Sequence, residues 1–142
     1  MKLEWKNIHI ELINKNKRIS NKYYHAVKGV SGKAESGRIL AMMGPSGSGK
    51  STLMNALYGL IPSGSITSGE ILVDDKERRP DFWFENSSYV RQDDLIWDNL
   101  TARETILYAG KFKSDDWEDV EARTEVLLKK FNIAKIGDNQ MK

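Results

Sequence analysis

The stretch Ile39-Leu40-Ala41-Met42-Met43-Gly44-Pro45-Ser46-Gly47-Ser48-Gly49-Lys50-Ser51-Thr52 decides the reading of this chain. Its apolar run, Ile39 to Met43, reads as a buried central strand. A glycine-rich turn follows. Thr52 to Leu60 then carries helical spacing at Leu53, Ala56, Leu57 and Leu60, with Gly59 and Pro62 as stop signals. Within the turn, Gly44 and Gly49 are followed by Lys50 and Ser51, which is the P-loop pattern. At ordinary residue frequencies, a random chain of this length would show that pattern in well under ~1% of cases.

Each residue of the pattern answers a separate physical demand. Gly44, Gly47 and Gly49 permit positive backbone angles and remove side chains. Successive N–H groups of the loop Gly44-Pro45-Ser46-Gly47-Ser48-Gly49, all but that of Pro45, which has none, can then converge on phosphate oxygens. A helix beginning near Lys50 adds its own free N–H groups and its dipole to the same anion. Lys50 would reach the β and γ phosphates, the Ser51 hydroxyl would coordinate magnesium, and Thr52 could bond the α-phosphate. The expected ligand is ATP with Mg2+.

Composition bounds the rest. The 142 residues are 39% hydrophobic and 30% charged, which suits one globular domain or part of one. A formal net charge of +2 is too mild for a nucleic-acid surface, so no nucleic-acid partner is expected. The basic stretch Lys15, Lys17, Arg18 and Lys22 reads as a solvated loop. With no cysteine there are no disulfides, thiolate metal sites or cysteine nucleophiles, and the composition is compatible with the reducing cytosol. The first residues lack the apolar stretch of a secretory signal, and no run approaches the roughly 18 apolar residues of a membrane span. Any work at a membrane would need another segment to cross it.

Around the P-loop, apolar residues at Leu3, Trp5, Ile8, Ile10 and Leu12 nearly alternate, with one slip at Asn7, predicting a bulged strand over 3–13. Tyr24 to Val30 reads as a second strand ended by Ser31 and Gly32, with a turn at Ser36 and Gly37. Glu70 to Val73 reads as a strand before a charged loop, Asp74 to Arg79, and Ser88 to Val90 as a short strand. Thr101 with Glu104 forms a capping box, predicting a helix from Ala102 to about Lys111. Ser114 can cap another helix, whose face is Val120, Thr124, Leu127, Leu128 and Phe131. There is no internal repeat and no low-complexity tract.

Four stretches give the chain a resemblance to the nucleotide-binding domains of ATP-binding cassette transporters, most closely the G subfamily of eye-pigment and pleiotropic drug-resistance pumps. They are Val27-Lys28-Gly29-Val30-Ser31-Gly32, the segment 39–55, Ser68-Gly69-Glu70-Ile71, and Tyr89-Val90-Arg91-Gln92-Asp93-Asp94 with Leu100-Thr101 and Arg103-Glu104-Thr105 behind it. Ile136-Gly137-Asp138 closes the match. The resemblance implies an α/β fold: a RecA-like P-loop NTPase core with an N-terminal antiparallel β-subdomain. Residues 1–37 and 66–80 would form mainly the β-subdomain, 38–62 the P-loop strand and helix, and 87–142 the Q-loop and the start of a helical subdomain. It further implies that Gln92 is the Q-loop glutamine, reaching magnesium and the attacking water. An amide suits that task, offering an acceptor and a donor without added charge. Tyr24, or Tyr23, stands about where the family stacks a ring on adenine. His25 reads as a surface residue. The implied partners are a transmembrane domain, in the same full-length chain or as a separate subunit, and a second nucleotide-binding domain. The implied location is the cytoplasmic face of a membrane.

The chain also departs from the family. It contains no Gly-Gly pair, hence no Ser-Gly-Gly signature, and after Gln92 no hydrophobic strand ending in Asp-Glu. Leu95-Ile96-Trp97-Asp98 is too short an apolar run. Ile71-Leu72-Val73-Asp74-Asp75 sits where the family has an antiparallel strand. His9 and His25 both precede the P-loop, whereas the family's switch histidine follows the catalytic strand. The expectation is the N-terminal portion of such a domain, truncated before its signature, binding ATP poorly and hydrolysing it negligibly by itself. The alternatives are a small P-loop phosphotransferase, with Arg78, Arg79 and Arg91 as lid candidates, and a non-catalytic nucleotide-binding fragment. A GTPase is disfavoured, because no Asp is followed three residues later by Gly and Asn14-Lys15-Asn16-Lys17 lacks the aspartate that reads guanine.

Overall fold

The computed structural model describes residues 1–14, 22–61, 65–92 and 96–140. It divides into two compact units, Met1–Tyr89 and Val90–Lys142. Lys15, Lys17 and Arg18 of the basic stretch lie outside the described residues, as do Pro62, Asp93, Asp94 and Leu95.

The first unit is built on a four-stranded antiparallel sheet of order β2-β1-β3-β4, with β1 (Lys2–Ile13) between β2 (Tyr23–Glu35) and β3 (Ile66–Val73). The slip in the sequence pattern is a bulge. Asn7 has φ of 49°, and the pairing shifts between Trp5 and Ile8 against β2 and between Lys6 and His9 against β3. One extra residue resets the two-residue alternation, so Trp5, Ile8 and Ile10 all reach the same core despite their uneven spacing. The Ser31 hydroxyl accepts the Asn7 N–H at 2.9 Å, giving the bulge a partner for its donor. Strand β2 runs on to Glu35, past the Ser31-Gly32 pair that the sequence suggested as its end.

Helix α1 (Lys50–Tyr58) lays Leu53, Ala56 and Leu57 against Trp5, Ile8, Ile10 and Val27. Its C-terminus is closed by Gly59 at φ of 105°, whose N–H bonds back to Asn55 and Ala56, as a left-handed cap requires. The segment expected as a charged loop after Val73 is a hairpin instead. Asp74 and Asp75 both take positive φ, 49° and 64°, and lead into β4 (Lys76–Glu77), the backbone twist of a two-residue hairpin turn. Their carboxylates accept from the Lys2 N–H and the Lys2 ammonium, each at 2.6 Å. Lys2 holds the Asp75 carboxyl below its usual range, and both aspartates are engaged in closing the hairpin against β1. Helix α2 (Pro80–Asn86) follows, with Pro80 in its first turn and Trp83 buried.

Two expected strands are absent. Ile39 to Met43 forms no strand, and Ile39 and Met43 are 99% and 90% exposed, with only Met42 packed on the core. Ser88 to Val90 is also outside any strand, with Val90 92% exposed. A central parallel strand needs ladder partners on both edges and cover on both faces. Among the described residues every named strand pairing is antiparallel and belongs to the one sheet, so neither run has a parallel neighbour.

The second unit is helical. The Thr101 hydroxyl accepts from the Glu104 N–H at 3.1 Å while Glu104 Oε2 accepts from the Thr101 N–H at 2.8 Å, opening α3 (Ala102–Lys111) with the expected capping box. Helix α4 (Trp117–Lys130) is capped by Asp116, not Ser114; the Ser114 hydroxyl accepts the Asp116 N–H one step earlier. Val120, Thr124 and Leu128 are buried as expected, whereas Leu127 and Phe131 are exposed. The two helices approach closely at Gly110, where a Cβ would stand 2.6 Å from a Val120 methyl. Arg103 ties the unit together, pairing with Glu125 and with Asp138 just after a short 3-10 turn, Ala134–Ile136.

Candidate functional site

Gly49 is the N-cap of α1, at φ of 89°, and Gly47 stands at 78°. Side chains avoid this left-handed region. At Gly49 space is a second constraint, since an added Cβ would lie 2.3 Å from the Ala26 carbonyl oxygen of β2. The loop is therefore pressed against the sheet at the point where the helix begins. The first hydrogen bond of the helix runs from the Leu53 N–H to the Gly49 carbonyl at 2.8 Å. The N–H groups of Lys50, Ser51 and Thr52 precede it and have no acceptor within the helix. No acidic side chain stands in this first turn, so the helix's own first turn sets no carboxylate against an anion.

Lys50 folds back over the loop. Its ammonium donates to the Gly44 and Pro45 carbonyl oxygens, both at 2.8 Å, with Ser48 Oγ at 3.4 Å. The Ser48 N–H donates to the Pro45 carbonyl at 3.3 Å, tightening the same turn. A cavity of about 790 Å³ opens between this loop and β2, with Lys50, Gly47 and Gly49 on one wall and His25, Ala26 and Lys28 on the other. Its size suits a small-molecule ligand.

The sequence-predicted residues distribute unevenly around it. Gly44, Pro45, Gly47, Ser48, Gly49 and Lys50 are brought together at the cavity. Ser46 is exposed at the loop crest, and Ser51 is exposed in the first turn. Thr52 lines a separate cavity of about 40 Å³ with Ile10, Leu12 and Asn55, on the side of α1 that faces the sheet. Tyr24 pairs with Leu12 across the strands and is half exposed, one residue short of the cavity wall. Gln92 is exposed and belongs to the second unit. His25 is exposed, as expected, and has a carboxylate beside it: Glu11, opposite it in the ladder, lies 3.1 Å from its Nδ1. Lys28 is a further cation on the cavity wall that sequence reasoning left unassigned. Its position on β2, three residues beyond His25, gave no local motif to mark it.

The fold is that of an ATP-binding cassette. It superposes on one such cassette, solved as a dimer in a post-hydrolysis state with ADP and Pi bound, with a TM-score of 0.73 and 23% identity, covering 97% of this chain and 61% of that one. The sequence profile described as ABC transporter matches residues 27–142, and the chain belongs to the ABC transporter family. An ABC transporter-like protein of Encephalitozoon cuniculi is 37% identical over 99% of this chain. Among G family members, number 13 of Arabidopsis thaliana is 47% identical over 61% of the chain, and the STR protein of Medicago truncatula 36% over 92%. The chain spans 25%, 12% and 17% of the length of these three relatives. No helix among the described residues is long and apolar enough to cross a membrane.

Proposed function

We propose that this chain binds the phosphates of ATP, together with Mg2+, in the loop over 44–51, as part of the ATP-binding domain of a G-type transporter. The observation that carries this is convergence: the Lys50 ammonium, the N-terminal end of α1 and the Gly47 and Gly49 backbone meet at one cavity. Anionic phosphate oxygens are better acceptors for an ammonium than the neutral carbonyls of Gly44 and Pro45. Ser51 carries the hydroxyl suited to magnesium, and among the described residues no group of three acidic or histidine side chains could hold a metal by itself. Magnesium at such sites is usually held mainly by phosphates with few protein ligands, a task that a single hydroxyl such as that of Ser51 suits. When bound, Mg2+ neutralises charge on the β and γ phosphates. Tyr24 is the candidate ring for adenine, and Gln92 the candidate amide for magnesium and water.

The whole protein would couple ATP binding and hydrolysis to export through a transmembrane domain, pairing with a second nucleotide-binding domain at the cytoplasmic face. This chain contains neither a Gly-Gly pair nor, after Gln92, an apolar strand ending in Asp-Glu. Its own turnover should be negligible. Titration of a fluorescent ATP analogue with Mg2+ against the wild-type chain and Lys50→Met tests the reading. Binding that weakens at least tenfold in Lys50→Met supports it, and equal affinity overturns it. Robust Lys50-dependent phosphate release would overturn the expectation of inactivity.

A further inference from the structure

The other end of α1 is as constrained as its phosphate end. A helix leaves its last four carbonyls without intrahelical donors, and here each has found one. The Asn55 and Ala56 carbonyls accept the Gly59 N–H, and Asn55 also accepts from Leu60 at 2.8 Å. A single nitrogen of Arg78, Nη1, donates to the Ala56 and Leu57 carbonyls at 3.1 and 2.6 Å. The indole N–H of the buried Trp83 donates to the Tyr58 carbonyl at 3.1 Å. Beside them the Tyr89 hydroxyl donates to Asn55 Oδ1 at 2.6 Å, and its ring stacks on Tyr58 with centroids 5.1 Å apart. Phe84 also meets Tyr58, edge-on with centroids 5.3 Å apart.

The side-chain donors, from Arg78, Trp83 and Tyr89, come from one segment, 78–89, and that segment is itself anchored. The Arg78 N–H bonds the Ile71 carbonyl of β3 at 3.0 Å, and the Ser87 hydroxyl closes α2 by donating to the Trp83 carbonyl at 2.5 Å. Apolar packing by Leu53, Ala56 and Leu57 is not directional and resists sliding of α1 along its axis only weakly. Hydrogen bonds to its terminal carbonyls are directional. A guanidinium there also complements the negative end of the helix dipole, whose positive end faces the phosphate loop.

We propose that Arg78, Trp83 and Tyr89 are positioning residues for nucleotide, fixing the axial position of α1 and with it Lys50 and the first-turn amides. The proposal rests on the phosphate-binding reading of the loop. α1 is a rigid rod about 12 Å long from Lys50 to Tyr58, so displacement of its clamped end is delivered to the loop. A small shift matters there, because donors must meet phosphate oxygens within narrow distances.

The experiment uses the full chain and three variants that each remove donors while keeping shape: Trp83→Phe, Tyr89→Phe and Arg78→Met. The readouts are the Kd of a fluorescent ATP analogue with Mg2+ and hydrogen exchange at the Leu53 amide, the first bonded amide of α1, both at a temperature where near-UV circular dichroism shows each variant folded. Loss of one neutral hydrogen bond at the clamp should weaken nucleotide binding about three- to tenfold and speed exchange at Leu53 by a similar factor. Arg78→Lys, which retains the charge and one donor contact, should restore most of the affinity lost in Arg78→Met. Folded Trp83→Phe and Tyr89→Phe variants with wild-type Kd and wild-type Leu53 exchange overturn the proposal; if Arg78→Met does not fold, these two carry the test. If the wild type binds nucleotide without dependence on Lys50, the phosphate reading fails. Leu53 exchange in the same variants then still decides whether the clamp positions the helix.

Discussion

Lys50 donates from Nζ to the carbonyl oxygen of Gly44 at 2.8 Å, closing the loop from the helix side back to its first glycine. The lysine thereby organises the loop as well as supplying charge. A phosphate would take over the ammonium from two neutral carbonyls, and the loop would have to keep its shape on its glycine backbone angles and on Ser48.

Lys50→Met should therefore separate binding from folding. Charge-assisted hydrogen bonds are worth about 1.5–3 kcal/mol, so nucleotide affinity should fall roughly 10- to 150-fold. The bonds lost in the free protein lie at the surface of the loop, where water replaces them. Thermal unfolding should shift by only a degree or two, which calorimetry would detect.

Gly49 and Gly47 should respond differently to the same substitution. Both have positive φ, but a Cβ at Gly47 meets nothing within 4 Å, whereas at Gly49 it meets the Ala26 carbonyl. Gly47→Ala should cost about 1–2 kcal/mol, the price of the left-handed backbone. Gly49→Ala must in addition push α1 or β2 away and should cost more, with lost nucleotide binding. Urea unfolding of both variants checks the order; equal costs would contradict the close approach of loop and sheet.

What was legible in the sequence follows from the range of the forces involved. The Thr101/Glu104 capping box, the Gly59 stop and the slip at Asn7 are set by neighbours within a few residues, and the structure has each in place. The P-loop residues from Gly44 to Lys50 likewise meet at one cavity, apart from Ser46. The run from Ile39 to Met43 depends on ladder partners, and apolar character alone does not provide them. Helix α2 was missed although Pro80 at its start and Asp81 after it are ordinary opening signals. Its buried Trp83, which would have marked the apolar face, bonds a carbonyl 25 residues upstream. The Arg78 bonds to the Ala56 and Leu57 carbonyls span a comparable stretch of chain, and no spacing rule reaches them.

The capping box predicts a pH dependence. The Thr101 backbone N–H, and next the Thr101 hydroxyl, hold the Glu104 carboxyl below its usual range. A group with its folded pKa lowered contributes stability that is present above the unfolded carboxylate pKa, about 4.3, and is lost as pH falls through the folded value. The difference in melting temperature between wild type and Glu104→Gln should be visible at pH 7 and should vanish as the pH drops toward 3. Thr101→Ala, which removes the other half of the box, should cost roughly 0.5–2 kcal/mol at neutral pH.

The bulge at Asn7 makes two single-residue deletions opposites. Trp5, Ile8 and Ile10 share one face because the strand holds one residue more than strict alternation needs. Deleting Asn7 removes that residue and leaves Trp5, Ile8 and Ile10 in regular alternation, still facing α1. The losses are the Asn7 contacts to Ser31 and His9, both exposed, so the variant should fold and melt only a few degrees lower. Deleting His9, two positions away, keeps the bulge but turns Ile10 and Leu12 to the opposite face. Ile10 is 0% exposed, and removing such a side chain from a core costs about 2–5 kcal/mol before any polar residue takes its place. That variant should lose its cooperative thermal transition in circular dichroism. Equal behaviour of the two deletions would mean that β1 is not threaded through the sheet in this register.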